Sequence, residues 1–376
     1  MVSNPRIEPL QPGKRSGADP HKNTPASTAA EDLIAAALGI AVVTAVYLDG
    51  RAHVLGLPDS FFTPWHALLY GGLLLLIVWL AVISRRTATR YRLDRPARLP
   101  AGYGLAAVGA ALFAVSGVLD MVWHQIFGVE FGLDALLSPT HLLLFMGGAL
   151  LLSGPVRAFR LRALPLSMSG RLAPTLGVLG IAGIAAFALS FLSGFITDSA
   201  TVAVGHAPEG TDAHNIAEGL ASAGLASYVL TSLILVVPLA YLIRFRLARP
   251  GTALIVVTSV ALLAAVLGDF RNMGTVIAAL AAGALLDVVL FALRRLSVPL
   301  RPQELVLASL LPLLVWPGQL LATNMARSVL WSLEMLTGVV IVAALASFAT
   351  VFVLGPASRA VNEPGSTEQE ISSPAE

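Results

Sequence analysis

The stretch YLDGRAHVLGLPDSFFTPWHALLYGG, residues 47–72, joins two apolar runs that are each long enough to cross a bilayer. It places Asp49 and His53 at the end of the first run and His66 at the start of the second. A carboxylate within hydrocarbon costs free energy, of the order of 2–3 kcal/mol at mid-membrane and less toward the interface. Polar groups gathered at this turn therefore indicate that something they bind offsets that cost.

The composition extends this pattern to the whole chain. Hydrophobic residues make up 56% of the sequence and charged residues 12%, and the mean hydropathy is +0.79. These values exclude an ordinary soluble globular domain. The chain has no cysteine, which excludes disulfides, thiolate metal sites and redox thiols.

Apolar runs recur along nearly the whole sequence and predict an all-α fold, a polytopic integral membrane bundle of about ten transmembrane helices in five antiparallel hairpins. The predicted spans are 32–52, 64–84, 101–125, 138–156, 173–196, 214–243, 252–269, 273–293, 303–323 and 329–355. They form a transmembrane domain over 31–355 with hairpins at 31–85, 101–157, 173–244, 251–294 and 302–356. Polar, disordered cytoplasmic tails are predicted at 1–30 and 357–376.

The basic residues are unevenly distributed between the two sets of connections. Of the 24 lysines and arginines, all but Arg51, Arg271 and Arg327 lie in the tails or after the even-numbered spans. The positive-inside rule then predicts a multi-pass protein of the cell membrane with both termini in the cytoplasm and every hairpin turning at the outer face. Topology accounts for these arginines, so no nucleic-acid partner is expected.

The polar pattern of the first turn recurs in GVLDMVWHQIFGVEFGLDALLSPTHLLLFMGG, residues 117–148. This second copy supplies Asp120, His124 and His141 in matching places. The copies lie about seventy residues apart, and we interpret them as an internal repeat, a duplicated two-helix hairpin.

A third copy is incomplete. It keeps Asp198 and His214, has His206 in its loop, and carries Val202 where the middle histidine would fall. Separately, Asp287 falls within a later predicted span, where an acidic side chain is a candidate for function.

Each complete copy can bring its polar groups together. An aspartate and a histidine four residues apart lie on one helix face, about 6 Å apart along the axis. Thr63-Pro64 and Ser138-Pro139 are helix starts, with the hydroxyl as cap, proline at the first position and histidine at the third. One hairpin can therefore present one carboxylate and two imidazoles to the same point.

Two imidazoles and a carboxylate are a ligand set for a transition metal such as copper, iron or zinc. The pattern leaves open two mononuclear sites or one dinuclear centre. It also leaves open a plainer interpretation. Outer loops are exposed to water, so polar residues are ordinary there, and these histidines would only cap helices or form hydrogen bonds. The predicted metal ligands are Asp49, His53, His66, Asp120, His124 and His141, with Asp198, His206 and His214 as additional candidates.

The spacing of Asp49, His53 and His66, with three and then twelve residues between them, resembles the metal-binding motif in the C subunit of particulate methane and ammonia monooxygenases. That resemblance implies a copper site on two neighbouring membrane helices, a position that zinc can also occupy. It covers eighteen residues, 49–66, of the 376. The second copy departs from the motif by a loop four residues longer, and the chain has more predicted spans than that subunit.

The first functional interpretation is a metal-dependent membrane oxidoreductase, monooxygenase-like, that oxidises a small or lipid-soluble substrate, with hydrolysis by metal-bound water as a variant. The alternative is a metal-ion or proton transporter, or a metal-handling protein without catalysis. Repeats of one orientation and a polar cluster confined to the outer side favour the enzyme. Haem binding is disfavoured because haem iron needs no carboxylate, and a purely structural role stays open. Expected partners are the lipid bilayer, a small apolar substrate or metal ion, and a second copy or partner membrane subunits.

Overall fold

The computed structural model describes residues 25–57, 62–92, 98–128, 132–162, 166–204 and 207–355. These residues form helices and connecting turns without a strand, and nine of the helices are long and apolar enough to cross a membrane. The predicted fold class, a polytopic helical membrane bundle, is confirmed. In chain order the helices are α1 (Ala29–Val54), α2 (Pro64–Arg90), α3 (Gly104–Phe127), α4 (Leu133–Leu137), α5 (Pro139–Phe159), α6 (Met168–Ala188), α7 (Asp212–Arg244), α8 (Thr252–Leu267), α9 (Met273–Arg295), α10 (Leu300–Ala326) and α11 (Leu333–Val353).

The seventh predicted span is shorter than expected. Helix α8 has 16 residues, about 24 Å of helix, against a hydrocarbon core of about 30 Å. It ends at Gly268, and the next two residues, Asp269 and Phe270, both have positive φ angles, of 52° and 55°. Left-handed backbone is strained for residues with side chains, so this sharp turn into α9 needs support from its surroundings.

The fifth predicted span, 173–196, is displaced toward the N-terminus. Ser167 caps α6 by accepting a hydrogen bond from the Gly170 amide, and the helix ends at Ala188. The chain then continues through short 3-10 turns. Its direction is fixed at Gly194, whose amide donates to Thr231 Oγ1 at 2.8 Å.

Asp287, the acid predicted inside a span, has a structural role. Its carboxylate accepts hydrogen bonds from the amides of Ala253 and Leu254 at 3.2 and 3.0 Å. These are amides of the first turn of α8, which have no partner within the helix itself. Asp287 on α9 therefore caps α8 from the neighbouring helix.

The helices pack in two groups that each have a core. The first group is α1, α2, α3, α5 and α6, and the second runs from α7 to α11. Helices α1 and α6 pack against α8, and α6 also touches α7, which joins the groups. Leu267 at the end of α8 belongs to the core of the first group.

A buried ion pair fixes the end of the first group that lies far from the repeated motif. Asp32 is 1% exposed and accepts hydrogen bonds from Ser27 Oγ and Tyr103 Oη, at 2.6 and 2.8 Å. It also pairs with Arg162. A carboxylate this buried is tolerated only when its lone pairs are satisfied. These contacts connect the start of α1 with the start of α3 and with the turn that follows α5.

Helices α3 and α5 touch backbone to backbone. A Cβ atom on Gly109 would lie 2.4 Å from the Leu151 amide nitrogen, and one on Gly147 would lie 2.7 Å from the Phe113 amide nitrogen. Small residues are what allow membrane helices to approach so closely. The contact sets the distance between the helices that carry Asp120 and His141.

We predict that Gly147→Ala lowers the free energy of unfolding by about 1–3 kcal/mol, because its methyl group would force α3 and α5 apart. Gly71→Ala is the matched control, since a Cβ on Gly71 of α2 meets nothing within 4 Å. Thermal unfolding of both variants in detergent checks this. Equal stability of the two would contradict the role of the α3–α5 contact.

Candidate metal centre

The first motif closes across one hairpin. Asp49 and His53 lie in the last two turns of α1, and His66 lies in the first turn of α2. The Asp49 carboxylate stands 3.6 Å from His53 Nε2 and 3.2 Å from His66 Nε2. The three side chains are 16%, 32% and 15% exposed, so the group is largely shielded but still reachable.

The His66 ring is held from both sides. Its Nδ1 lies 2.9 Å from Thr63 Oγ1, and its face stacks on Tyr70 with 5.8 Å between ring centroids. The Thr63 hydroxyl therefore orients the imidazole and makes no cap to the backbone, unlike the predicted helix start. Asp49 Oδ1 is buried, and it is the carboxylate oxygen that lies 3.2 Å from His66 Nε2.

The second motif groups the same residue types, but its α5 histidine faces the aspartate through Nδ1 and not through Nε2. Asp120 on α3 stands 3.4 Å from His124 Nε2 and 3.7 Å from His141 Nδ1 of α5. Thr140 Oγ1 donates to Asp120 Oδ1 at 2.6 Å. Ser138 lies 2.7 Å from His141 Nδ1 through its hydroxyl and also accepts from the His141 amide, so the predicted cap is formed here.

The proton on His124 can be assigned from its neighbour. His124 Nδ1 lies 3.2 Å from the Gly128 carbonyl oxygen, which can only accept a hydrogen bond. A hydrogen bond here needs a proton on Nδ1. In the singly protonated ring Nε2 then presents a lone pair to the Asp120 carboxylate, and in the doubly protonated ring it donates to that carboxylate. Two acceptors face each other stably only with a cation or proton between them. Such orientation of a ring through its other nitrogen is characteristic of metal-ligating histidines.

The distances suit a metal ion. One ligand atom from each residue of a motif lies within 4.8 Å of the other two, in both copies. Ligand atoms around a tetrahedral ion at about 2.1 Å stand about 3.4 Å from one another. The carboxylate distances to the Nε2 atoms of His53, His66 and His124 run from 3.2 to 3.6 Å and bracket that value. The fourth distance, 3.7 Å, is to His141 Nδ1, which also contacts Ser138.

Both motifs open on the same cavity, which has a volume of about 550 Å³. His141 of the second motif is close enough to Asp49 and His53 of the first for electrostatic interaction. Among the described residues that line it, those outside the motifs are apolar or glycine apart from Tyr70 and Ser190. They include Phe113, Phe145, Ile184, Phe187 and Leu267. The sequence left open whether the two motifs face one space, and the fold brings them there.

The third, incomplete copy is arranged differently. Asp198 is exposed and pairs with Arg327 at 3.4 Å. His214 lies in the first turn of α7, where its amide is capped by Thr211. Within the described part of the chain neither joins a metal-like group, and His206 lies outside the described residues.

Several residues that shape the site were not singled out from the sequence. Thr140 was visible between Pro139 and His141, but its bond to Asp120 depends on how α3 meets α5. Arg51, next to the first motif, pairs with Asp269 and lies over the Phe270 ring, 5.6 Å from its centroid. This contact holds the strained turn after α8 against α1. No sequence pattern predicted it.

We predict that Thr140→Val lowers the stability of the metal-free protein by about 1.5 kcal/mol, because Asp120 loses a hydrogen bond to a charged acceptor. Thr140→Ser keeps the hydroxyl and should retain most of that stability. Thermal unfolding with a chelator present compares the three proteins. If the valine variant unfolds at the same temperature as the parent, the bond contributes nothing to holding Asp120.

Comparison with known proteins adds no family to this description. No protein-family model, no curated protein and no solved structure matches the chain. The likeness to the monooxygenase C subunit thus remains that of one motif. The structure is consistent with a metal-binding role for that motif, since Asp49, His53 and His66 converge in a group able to hold a metal ion.

Proposed function

We propose that this membrane protein binds a transition-metal ion at each of its two aspartate–histidine motifs and acts as an oxidoreductase on a molecule held in the shared cavity. The observation that carries the proposal is that both ligand sets face one cavity with otherwise mainly apolar walls. A structural role would need neither the duplication nor the space.

Copper is our first choice of metal, with iron and zinc next. Imidazole ligands suit all three, and copper binds nitrogen and oxygen sites most tightly among divalent first-row ions. The resemblance of the first motif also implies copper. Such an ion supplies redox or Lewis-acid chemistry when bound.

The protein's own groups have distinct tasks in this proposal. Asp49 and Asp120 offset the positive charge of the ion, and their position between two imidazoles directs the nitrogen ligands to one point. Thr63, Ser138 and the Gly128 carbonyl fix the rings. The apolar wall excludes water from the part of the cavity where a substrate would lie.

The shape of the cavity favours this function over transport. Among the described residues that line it, the carboxylates and imidazoles belong to the two motifs and the others are mainly apolar. A second, much smaller cavity in the first helix group holds about 10 Å³ and is lined by apolar side chains and Tyr103. A cation route through this group would need polar groups beyond the motifs.

We also propose that the motif end of the bundle faces away from the cytoplasm. Arginines close the opposite ends of the helices, as Arg90, Arg157, Arg244 and Arg295 show in the last turns of α2, α5, α7 and α9. This placement follows the positive-inside rule and complements the carbonyl ends of the helices. We further propose that the protein works with a second copy or with partner membrane subunits.

The metal content of the purified protein tests the proposed function. We expect two equivalents of one transition metal per chain, with one lost in His53→Ala, one in His124→Ala and both in the double variant. His21→Ala, in the N-terminal tail, is the control and should keep both. An absorption spectrum distinguishes copper from iron and from zinc, which has no visible bands.

Absence of stoichiometric metal would overturn the proposal. In that case cation or proton flux into vesicles that contain the protein would support the transport alternative.

The orientation has its own test, made simple because the chain has no cysteine. Ser328, between α10 and α11, and Ser297, between α9 and α10, are both exposed. We expect a membrane-impermeant maleimide to label Ser328→Cys on intact cells, and Ser297→Cys only after permeabilisation. The reverse pattern would place the motifs in the cytoplasm.

A further inference from the structure

The size and chemistry of the cavity indicate what it holds. A volume of about 550 Å³ lies in the range that encloses a molecule of roughly ten to twenty non-hydrogen atoms. None of the described residues that line it is a lysine or arginine. Phe113, Phe145, Phe187 and Leu267 give much of its wall an apolar surface. An uncharged hydrocarbon fits these walls.

The boundary between α2 and α3 offers a route from the bilayer. Helix α2 packs mainly on α1 and only lightly on α3. Exposed side chains lie on the membrane side of both helices, with Leu74 at 60% and Val115 at 57%. On the inner side, Tyr70 of α2 and Gly117 of α3 both line the cavity. An aromatic ring and a glycine therefore lie opposite each other where α2 and α3 meet the cavity.

Gly117 occupies the central position in this arrangement. It lies four residues after Phe113 and three before Asp120, so it shares their helix face and stands between the apolar wall and the second motif. A Cβ at this position would meet only Tyr70 Cε1 within 4 Å, at 3.9 Å. The glycine leaves open space here, in contrast to Gly109 and Gly147, where helices touch.

We propose that the cavity binds an uncharged hydrocarbon chain of roughly ten to twenty carbon atoms, taken up from the bilayer between α2 and α3, and that Gly117 sets the length of chain it accepts. The inference rests on the proposed function only in placing the reactive end of the chain at the metal sites. Binding of the chain itself depends on the apolar wall.

Photolabelling of the full-length protein in liposomes tests this. The probes are uncharged alkanes of 8 and 14 carbons that carry a diazirine, and unlabelled n-alkanes serve as competitors. Labelling of cavity peptides is normalised to labelling of lipid-facing peptides in the same sample. We expect the 14-carbon probe to label Phe113, Tyr70 or their neighbours, in a manner that alkanes of similar length suppress.

Gly117→Leu should weaken apparent binding of the 14-carbon probe on the order of a hundredfold, at about fourfold for each methylene that the new side chain displaces. The 8-carbon probe should be affected far less. Gly338→Leu on α11 is the matched control, because a Cβ there meets nothing within 4 Å and the site is in the other helix group. The control should label as the parent does.

Three results would overturn the inference: labelling confined to lipid-facing peptides, labelling that alkanes do not suppress, or a Gly117→Leu variant that labels like the parent. A phospholipid that native mass spectrometry finds bound and that alkanes do not displace would also overturn it. Metal-free protein is labelled in parallel. Suppressible cavity labelling there supports hydrocarbon binding even where metal analysis refutes the proposed function.

Discussion

The structure depends on one constraint, that a carboxylate at the end of a membrane helix must be matched by partners. Asp49 and Asp120 each find the first partner one turn further along the same helix and the second at the start of the next membrane helix. Satisfying the charge therefore closes the hairpin. The same pairing brings two ring nitrogens close to each carboxylate. The imidazoles that stabilise the carboxylate charge are therefore also suited to bind a metal ion together with it.

Local features of this chain could be predicted from its sequence because they depend on near neighbours. The lengths of the apolar runs predicted the long helices, although α8 is shorter than expected because a turn begins at Gly268. The helix-start pattern before His66 and His141 correctly placed both rings near the preceding aspartate. Only the use of the hydroxyl differed, since Thr63 turns to the imidazole and Ser138 serves both ring and backbone.

Features that depend on packing between distant segments could not be predicted. The shared cavity requires α3 and α5 to meet at Gly109 and Gly147, and requires both to pack beside α1 and α6. Asp198 occupies the position in its sequence copy that Asp49 occupies in the first. Its side chain is nevertheless exposed and pairs with Arg327. A recurring sequence pattern predicts which residues could come together, but tertiary contacts decide which of them do.

The ion pair between Arg51 and Asp269 has a consequence for the order of assembly. Its partners are 218 positions apart in the chain. Arg51 is therefore synthesised long before the turn that contains Asp269. Leu267, which completes one wall of the cavity, arrives at the same late stage. Domains and segments fold from the N-terminus during synthesis. When the first two hairpins enter the membrane, the cavity therefore lacks the part of its wall that Leu267 provides. That part of the wall forms only after the second half of the chain has been translated.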